Sequence, residues 1–287
     1  MRKTPIFLAL LAIAALAGMS TPARASWWSD TTGTPLLSDR AGIRGGAYLS
    51  TSRTTYQDAG PRSFGTVMIL ERDLGLSTEN TNGFLDLFYR ITPHHMLTMT
   101  LTEINRTGNR VVDRSIDFGD LHFAQSTSIQ TTFDSGLIGL GYRYSFINDR
   151  RVETGLATGV SVYKYDLAMT GQASLTDTSG NGSVTQGRHE SSQILAPIPS
   201  IGIFTGLALR RDLVFYGSAT IFVFHYGGFS SDMVDCGFAL HYFPVRHVGL
   251  GLGFAGTSVG VSNGTLEQTV GATYAYSGWL LTLDITK

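Results

Sequence analysis

The sequence predicts an all-β fold, a transmembrane antiparallel β-barrel of about twelve strands, with ten or fourteen strands as alternatives. Three observations support this prediction: an export signal, apolar residues that alternate with small or polar ones, and short turns between the alternating segments. Charged side chains make up only 15% of the 287 residues, below the level of about 25% in soluble domains. The single cysteine excludes a disulfide scaffold, and the net charge of -1 provides no electrostatic footprint for nucleic acid.

The first 25 residues have the pattern of a secretory signal peptide. Two basic residues precede an apolar run over residues 6–19, and Ala25 ends a small-x-small sequence that suits cleavage. This run is shorter than the roughly 20 apolar residues that a membrane helix needs. The sequence therefore predicts a signal peptide over residues 1–25, a periplasmic segment over 26–40 and a barrel over 41–287.

Alternation with a period of two continues through the rest of the chain. It is clearest over residues 248–257, where bulky apolar residues alternate with glycine and alanine. In a soluble β-sandwich the apolar face would form the core, and a secreted binding module with that fold is one alternative. Long segments whose other face is Gly, Ser or Thr favour a barrel instead. We then expect Leu250 and Leu252 to face lipid, and Gly249 and Gly251 to face a lumen.

An even number of strands returns both chain ends to the periplasm. The candidate strands are 41–50, 63–72, 84–91, 95–105, 110–118, 127–147, 151–170, 194–209, 213–226, 232–243, 247–261 and 265–286. The short turns at 148–151, 210–212 and 244–247 then lie on the periplasmic side. The equally short turn at 92–95 falls on the outer side by the same count. Either this outer loop is unusually short or the strands between residues 60 and 125 are miscounted, and for this reason ten and fourteen strands remain alternatives.

Three details of the pattern lead to further expectations. Four segments rich in tyrosine and phenylalanine suit the aromatic girdles at the bilayer interfaces, and they are 142–146, 163–165, 222–226 and 274–276. The alternation changes phase near Gly278, which predicts a β-bulge or kink there. Pro197 and Pro199 cannot donate to a strand ladder, so we expect them near a strand end.

The segment Leu140–Phe146 adds to these features, because its leucine and aromatic residues alternate with glycine, arginine and serine. Together they give a chain that resembles Gram-negative outer-membrane β-barrel proteins. The resemblance implies a bacterial outer-membrane location, contact with outer-membrane lipids and lipopolysaccharide, and insertion by the barrel assembly machinery, and it leaves the oligomeric state open. Such proteins typically end in an aromatic residue, whereas the last residue here is Lys287.

Charged residues of both signs are expected inside the barrel. They are Arg44, Asp86, Arg90, Arg143, Glu153, Asp235 and His241. Opposed acidic and basic walls would form a pore constriction that selects solutes by charge and size. The same residues could equally form ion pairs that fill a closed barrel, because buried charges need partners. The sequence thus predicts a passive channel for small solutes or a structural membrane protein, without catalytic residues, cofactor or metal.

One motif favours a catalytic alternative. His189 and Ser191 are two residues apart, which on a strand places both side chains on one face, where a histidine can activate a serine hydroxyl. In this respect the chain is similar to the outer membrane phospholipase A and lipid A deacylase families. The resemblance implies a lipid-hydrolysing enzyme with His189 as base and Ser191 as nucleophile. Those families also have an Asn or acidic residue on the neighbouring strand, and residues 192–211 contain none.

Overall fold

The computed structural model describes residues 34–59, 65–119, 121–175, 186–264 and 269–287. The predicted signal peptide and its cleavage site lie outside the described residues. The elements are β1 (Ala41–Asp58), β2 (Met68–Ile69), α1 (Leu70–Asp73), β3 (Glu79–Thr92), β4 (His95–Val111), β5 (Ile116–Phe118), β6 (Leu121–Phe123), β7 (Ser128–Asn148), β8 (Val152–Leu175), β9 (Gln186–Arg210), β10 (Leu213–Tyr226), β11 (Phe229–Val245), β12 (Val248–Gly264) and β13 (Thr269–Thr286). In these ranges no helix is long and apolar enough to cross a membrane.

Ten of the described strands close into one antiparallel barrel. β1, β3, β4 and β7 to β13 pair in chain order, and β13 pairs with β1 to close the circuit. The β-sandwich alternative is therefore wrong, because one sheet closes on itself and no second sheet packs against it in the described residues. β2 pairs with β1, and the β5–β6 hairpin pairs with the end of β8, so these three strands lie off the circuit.

The barrel has ten strands rather than twelve, as one of the alternatives allowed. The candidate strand 110–118 ends β4 and forms β5, and the described part of 63–72 contains β2 and α1. Without these two strands, the turn at 92–95 lies at the same end of the barrel as the turns at 148–151, 210–212 and 244–247. We call this end, which also holds Ala41 and Lys287, the turn end, and the opposite end the loop end. Alternation alone led to the miscount, because short strands that pack inside a barrel mouth also alternate.

The outward face of the barrel changes polarity along most of the described strands, and β10 is an exception, because its outward face stays apolar as far as Val223, which is 67% exposed. On β1, outward Ile43 and Leu49 are 49% and 44% exposed, whereas the outward residues that follow, Thr51 and Arg53, are polar. We call the part with the apolar outward face the turn half, and the part with the polar outward face the loop half. The turn half has the surface that lipid contact requires.

The orientation expected for residues 248–257, with bulky side chains outward and glycines inward, is confirmed. Leu250 and Leu252 are 51% and 53% exposed on the outside of the turn half. Gly249 and Gly251 are buried on the inside. In this half, bulky residues therefore face outward and small residues face the lumen.

Apolar side chains fill the lumen of the loop half. We call the chain between β1 and β3 the first connection, and the chain between β4 and β7 the second connection. The core includes Met68, Leu70 and Leu74 from the first connection, Ile116, Phe118 and Phe123 from the second, and Ile129, Phe133, Tyr165, Leu167, Met169, Ile198 and Tyr274 from the barrel wall. The tyrosines at 163, 165, 274 and 276 thus point inward, and the expectation that they form an aromatic girdle is wrong. Ring contacts such as Phe133 on Tyr165, with centroids 6.1 Å apart, tie the core together.

No bulge occurs at Gly278. β13 keeps an unbroken register with both β1 and β12. The apparent change of phase arises because Tyr274 and Tyr276 face the loop-half core while Leu281 faces outward in the turn half. A Cβ atom on residue 278 would lie 2.0 Å from the Leu49 carbonyl oxygen, so this glycine allows close backbone packing.

The barrel wall is only partly paired between β9 and β10. Pairing between them stops at Ile201 and Ile221, and beyond this point β9 pairs with β8 alone and β10 with β11 alone. Pro197 and Pro199 lie inside β9, not near its end as expected. The two missing N–H donors are consistent with the loss of pairing to β10 at this level.

Candidate functional site

A buried ion pair closes the turn end of the lumen. Arg90 on β3 and Glu153 on β8 form two hydrogen bonds, Nη1 to Oε1 at 2.7 Å and Nη2 to Oε2 at 3.1 Å. Ser145 donates a further hydrogen bond to Glu153 Oε1 at 2.6 Å. The guanidinium also donates to the Leu36 carbonyl oxygen at 3.2 Å. Both charges are thus satisfied within the protein.

The described part of the predicted periplasmic segment, residues 34–40, lies across this end. Its Leu36 and Leu37 side chains are buried, and Thr34 Oγ1 donates to the Arg150 carbonyl oxygen at 3.1 Å. The segment and the ion pair together fill the turn end of the lumen.

A second buried ion pair anchors the first connection at the loop end. Arg106 on β4 donates from Nη1 to Glu71 Oε1 of α1 at 2.6 Å, and the Thr54 backbone N–H donates to Glu71 Oε2 at 2.9 Å. The guanidinium lies over the Phe133 ring, 4.8 Å from its centroid. The sequence singled out neither Arg106 nor Glu71, because their pairing depends on a connection that folds back into the barrel.

Between these two packed regions lies a cavity of about 340 Å³. Threonine and serine hydroxyls from β4, β8, β9 and β10 form much of its wall. Five of the seven charged residues predicted for the lumen also line it, and these are Arg44, Asp86, Arg143, Asp235 and His241. The structure therefore places all seven on the inward face, with Arg90 and Glu153 below the cavity.

One group of charges in the cavity is fully paired. Arg44 Nε lies 2.8 Å from Asp284 Oδ1, and Asp284 Oδ2 lies 2.7 Å from His241 Nδ1. A second carboxylate, Asp86, is 3.9 Å from Arg44 Nη1 and accepts a hydrogen bond from Thr100 Oγ1 at 2.8 Å. Because an ionised carboxylate only accepts hydrogen bonds, His241 Nδ1 is the donor. Its Nε2 is buried without a hydrogen-bond partner among the described residues.

Sequence reasoning missed Asp284, which joins Arg44 to His241. The alternation of the last strand carried the signal, since Leu281, Leu283 and Ile285 face lipid and the residues between them must face inward.

Arg143 has no carboxylate partner in the described part of the chain. Its guanidinium lies between two rings, 5.2 Å from the centroid of Phe204 and 5.4 Å from that of Tyr216. It also donates a hydrogen bond to the Tyr216 hydroxyl. Contact with ring faces and a phenol, rather than an opposite charge, stabilises this cation.

Asp235 is the acidic counterpart of this arrangement. Thr257 donates a hydrogen bond from Oγ1 to Asp235 Oδ2 at 2.6 Å. Among the described residues no basic side chain forms an ion pair with Asp235, which accepts the Thr257 hydrogen bond alone. The lumen therefore contains both paired and unpaired charges, and the unpaired ones face the cavity.

His189 and Ser191 lie outside the barrel. Both are exposed on the outward face of β9 in the loop half, as their spacing predicts. His189 Nδ1 is 3.0 Å from Thr170 Oγ1. No carboxylate contacts this histidine in the described residues, so nothing there orients it as a base.

No protein-family model matches the chain, and no curated protein matches it. Among solved structures, the outer membrane protease OmpT of Escherichia coli superposes with a TM-score of 0.58 at 11% identity, over 90% of this chain and 99% of that chain. The chain has the fold of a Gram-negative outer-membrane β-barrel. This confirms the predicted architecture, and at 11% identity the likeness concerns the fold alone.

Two other outer-membrane structures show weaker similarity. The attachment invasion locus protein Ail of Yersinia pestis, solved with a heparin analogue, has a TM-score of 0.31 at 10% identity, over 84% of this chain and 98% of that chain. The toluene transporter TodX of Pseudomonas putida has a TM-score of 0.37 at 7% identity, over 87% and 90% of the two chains. These scores are too low to carry an argument about function.

Proposed function

We propose that this protein is a structural outer-membrane β-barrel whose lumen is closed to ion flow. The sequence left a passive channel and a structural protein open, and the packing of the lumen favours the second. The observation that carries this proposal is that both ends are filled, by the Arg90–Glu153 pair and residues 34–40 at the turn end and by the apolar core at the loop end. A hydrated ion would have to displace buried side chains at both ends.

The two halves of the barrel suit different surroundings. The turn half presents apolar residues to lipid, and the loop half presents polar residues that suit water or lipopolysaccharide. In this proposal the loop half projects beyond the outer leaflet, its neighbours are outer-membrane lipids and lipopolysaccharide, and the barrel assembly machinery inserts the chain. Nucleic acid is not a partner.

Conductance in planar bilayers tests this proposal. Refolded protein is first checked by its heat-modifiable mobility in gel electrophoresis, which reports a closed barrel. We expect no stepwise conductance from protein that passes this check, while a general porin reconstituted in the same membrane conducts. Regular conductance steps from the folded protein would contradict a closed lumen.

A gated channel is the second candidate, because a polar cavity with unpaired charges lies between the two packed regions. Such a channel would conduct only after the first connection leaves the barrel mouth. Steps that appear in a variant lacking the Arg106–Glu71 pair, and that change size when Arg143 or Asp235 is neutralised, would support it.

The proposal includes no catalysis. For the lipid-hydrolase alternative, an exposed His189 and Ser191 pair without an orienting carboxylate offers little support. We expect lipid profiles to be unchanged in cells that overexpress the protein. Lipid hydrolysis that is lost in the Ser191→Ala variant would support the lipid-hydrolase alternative.

A further inference from the structure

We propose that the lumen cavity binds a small organic cation, with an ammonium group held between the Asp235 carboxylate and the rings of Tyr48, Tyr163 and Tyr276. All four residues line the cavity. This inference goes beyond a structural role, and it does not depend on whether the barrel conducts.

The first argument is the missing partner of Asp235. Elsewhere in the lumen the protein pairs its carboxylates with arginine, as with Glu153 and Arg90 at 2.7 Å and Asp284 and Arg44 at 2.8 Å. Asp235 receives only the Thr257 hydrogen bond from the described residues. A carboxylate away from bulk water is costly unless a counter-charge approaches it. A cationic ligand would supply that charge.

The second argument is the aromatic wall around this carboxylate. Tyr48 and Tyr163 are each only 5% exposed, and the rings of Tyr48 and Tyr276 meet edge to face with centroids 5.5 Å apart. Hydrogen bonds from the Tyr48 hydroxyl to the Ala255 carbonyl oxygen at 2.6 Å and from the Tyr163 hydroxyl to Met233 Sδ at 3.4 Å hold two of the rings in place. Fixed aromatic faces near a carboxylate attract organic cations strongly when water is excluded.

The strand register explains how these groups come together. Asp235 on β11 pairs with Thr257 on β12, and Thr257 pairs with Tyr276 on β13. The carboxylate and the ring are therefore two strands apart on the inward face, a backbone separation of about 10 Å. Both side chains point into the lumen, which shortens the distance between their ends.

An organic cation fits this site better than a metal ion. Calcium takes 6 to 8 oxygen ligands, and one carboxylate with neighbouring hydroxyls is a poor substitute. In the described residues no group of three or more His, Cys, Asp or Glu could hold a metal ion. A cavity of about 340 Å³ has room for an ammonium group with a few carbon atoms attached.

Choline and its uncharged isostere 3,3-dimethyl-1-butanol test the role of charge, because the two molecules have nearly the same shape. Isothermal titration calorimetry is done on refolded full-length protein in a non-ionic detergent, since zwitterionic detergents carry the same ammonium group. We expect saturable binding of choline and binding of the isostere that is at least about tenfold weaker. Absence of choline binding, or equal binding of the two molecules, would overturn the proposal.

Substitutions locate the binding. Asp235→Asn keeps the size of the side chain and removes its charge, and we expect choline affinity to fall at least about tenfold. Asp232→Asn is the matched control, because Asp232 is exposed on the outward face of the same strand, and its affinity should be unchanged. Tyr163→Leu removes one ring and should also weaken binding. Unchanged choline affinity in Asp235→Asn protein that has normal heat-modifiable mobility would contradict the proposed site.

Two further ligands, calcium chloride and glycerophosphocholine, distinguish an organic-cation site from a metal site and from a lipid-headgroup site. Saturable binding of calcium chloride that Asp235→Asn abolishes, without choline binding, would replace the proposal with a metal site. Glycerophosphocholine carries the ammonium group as a lipid headgroup does. If it binds through Asp235 more tightly than choline, the natural ligand is a lipid headgroup, and the reverse order indicates a small free organic cation. Conductance in a protein that binds choline would contradict only the closed lumen.

Discussion

The turn half and the loop half share one set of strands and bury the same inward face, yet the apolar residues lie on opposite faces in the two halves. In the turn half, Leu252 faces outward and Gly251 is buried, whereas in the loop half Phe133 is buried and Thr107 is exposed on the outside. The strand pleat gives both halves the same alternation. Alternation therefore shows only that a strand has two different faces, and the solvent around the barrel determines which of the two is apolar.

The interiors of the two halves differ in the same way. The turn half contains hydroxyls and ion pairs around a cavity, while the loop half contains a continuous apolar core. In the loop half the core is apolar because water lies outside, as in a soluble protein. In the turn half lipid lies outside, so burial of apolar residues in the lumen brings no such gain.

The largest effect is expected from a broken ion pair inside the turn half. Glu153→Gln leaves the Arg90 charge buried without its partner, which should reduce the free energy of unfolding by about 3–5 kcal/mol. Urea titration of the protein in lipid vesicles measures this change. The control is Asp212→Asn, which breaks the more exposed Arg210–Asp212 pair and should cost at most about 1 kcal/mol. Equal losses in the two variants would show that the turn end is hydrated.

Outward charges test the polarity boundary directly. Leu252→Arg places a cation on the lipid-facing surface of the turn half and should destabilise the inserted barrel by about 2–4 kcal/mol. Thr107→Arg makes the same type of change on the outward face of the loop half, and it should alter stability by less than about 0.5 kcal/mol. Folding into vesicles at increasing urea concentration compares them. If both variants fold equally well, the assignment of the two halves is wrong.

A smaller and more local effect is expected at the loop-end ion pair. Glu71→Gln removes the partner of Arg106, so the first connection should leave the barrel mouth more often while the barrel stays closed. Trypsin should then cleave after the exposed Arg72 about tenfold faster than in the wild type. The free energy of unfolding of the whole barrel should fall by less than about 2 kcal/mol. Glu79→Gln, at an exposed position on β3, serves as the control. Unchanged cleavage would mean that the apolar core alone holds this connection.

The smallest effect concerns a single turn at the turn end. Asp149 Oδ1 accepts hydrogen bonds from the backbone N–H groups of Arg151 and Val152, both at 2.7 Å, and these bonds lower the pKa of this carboxyl. A carboxylate with a lowered folded-state pKa stabilises the fold above its unfolded pKa, and the contribution is lost as the pH falls through the folded pKa. Asp149→Ala should therefore cost about 0.5 kcal/mol at neutral pH, because solvent screening weakens these interactions in an exposed turn. The difference from wild type should vanish in acid, and a gap that persists there would contradict this origin.

The strand alternation, the lipid-facing surface of the turn half and the inward position of the seven charged residues could all be predicted from the amino-acid sequence. These features are local, because a strand places every second residue on the same face whatever its neighbours are. The same locality made the short strands between residues 60 and 125 look like barrel strands, and it made the change of face near Gly278 look like a bulge.

The strand number, the packed lumen and the partners of each charge could not be predicted in this way, because they depend on contacts between distant parts of the chain. Arg44 meets Asp284 across 240 positions of the chain, and Arg106 meets Glu71 only because a connection folds back into the barrel. Barrel closure determines which strands become neighbours, and the surrounding solvent determines which of their faces is shielded from water. A local sequence pattern carries no information about either.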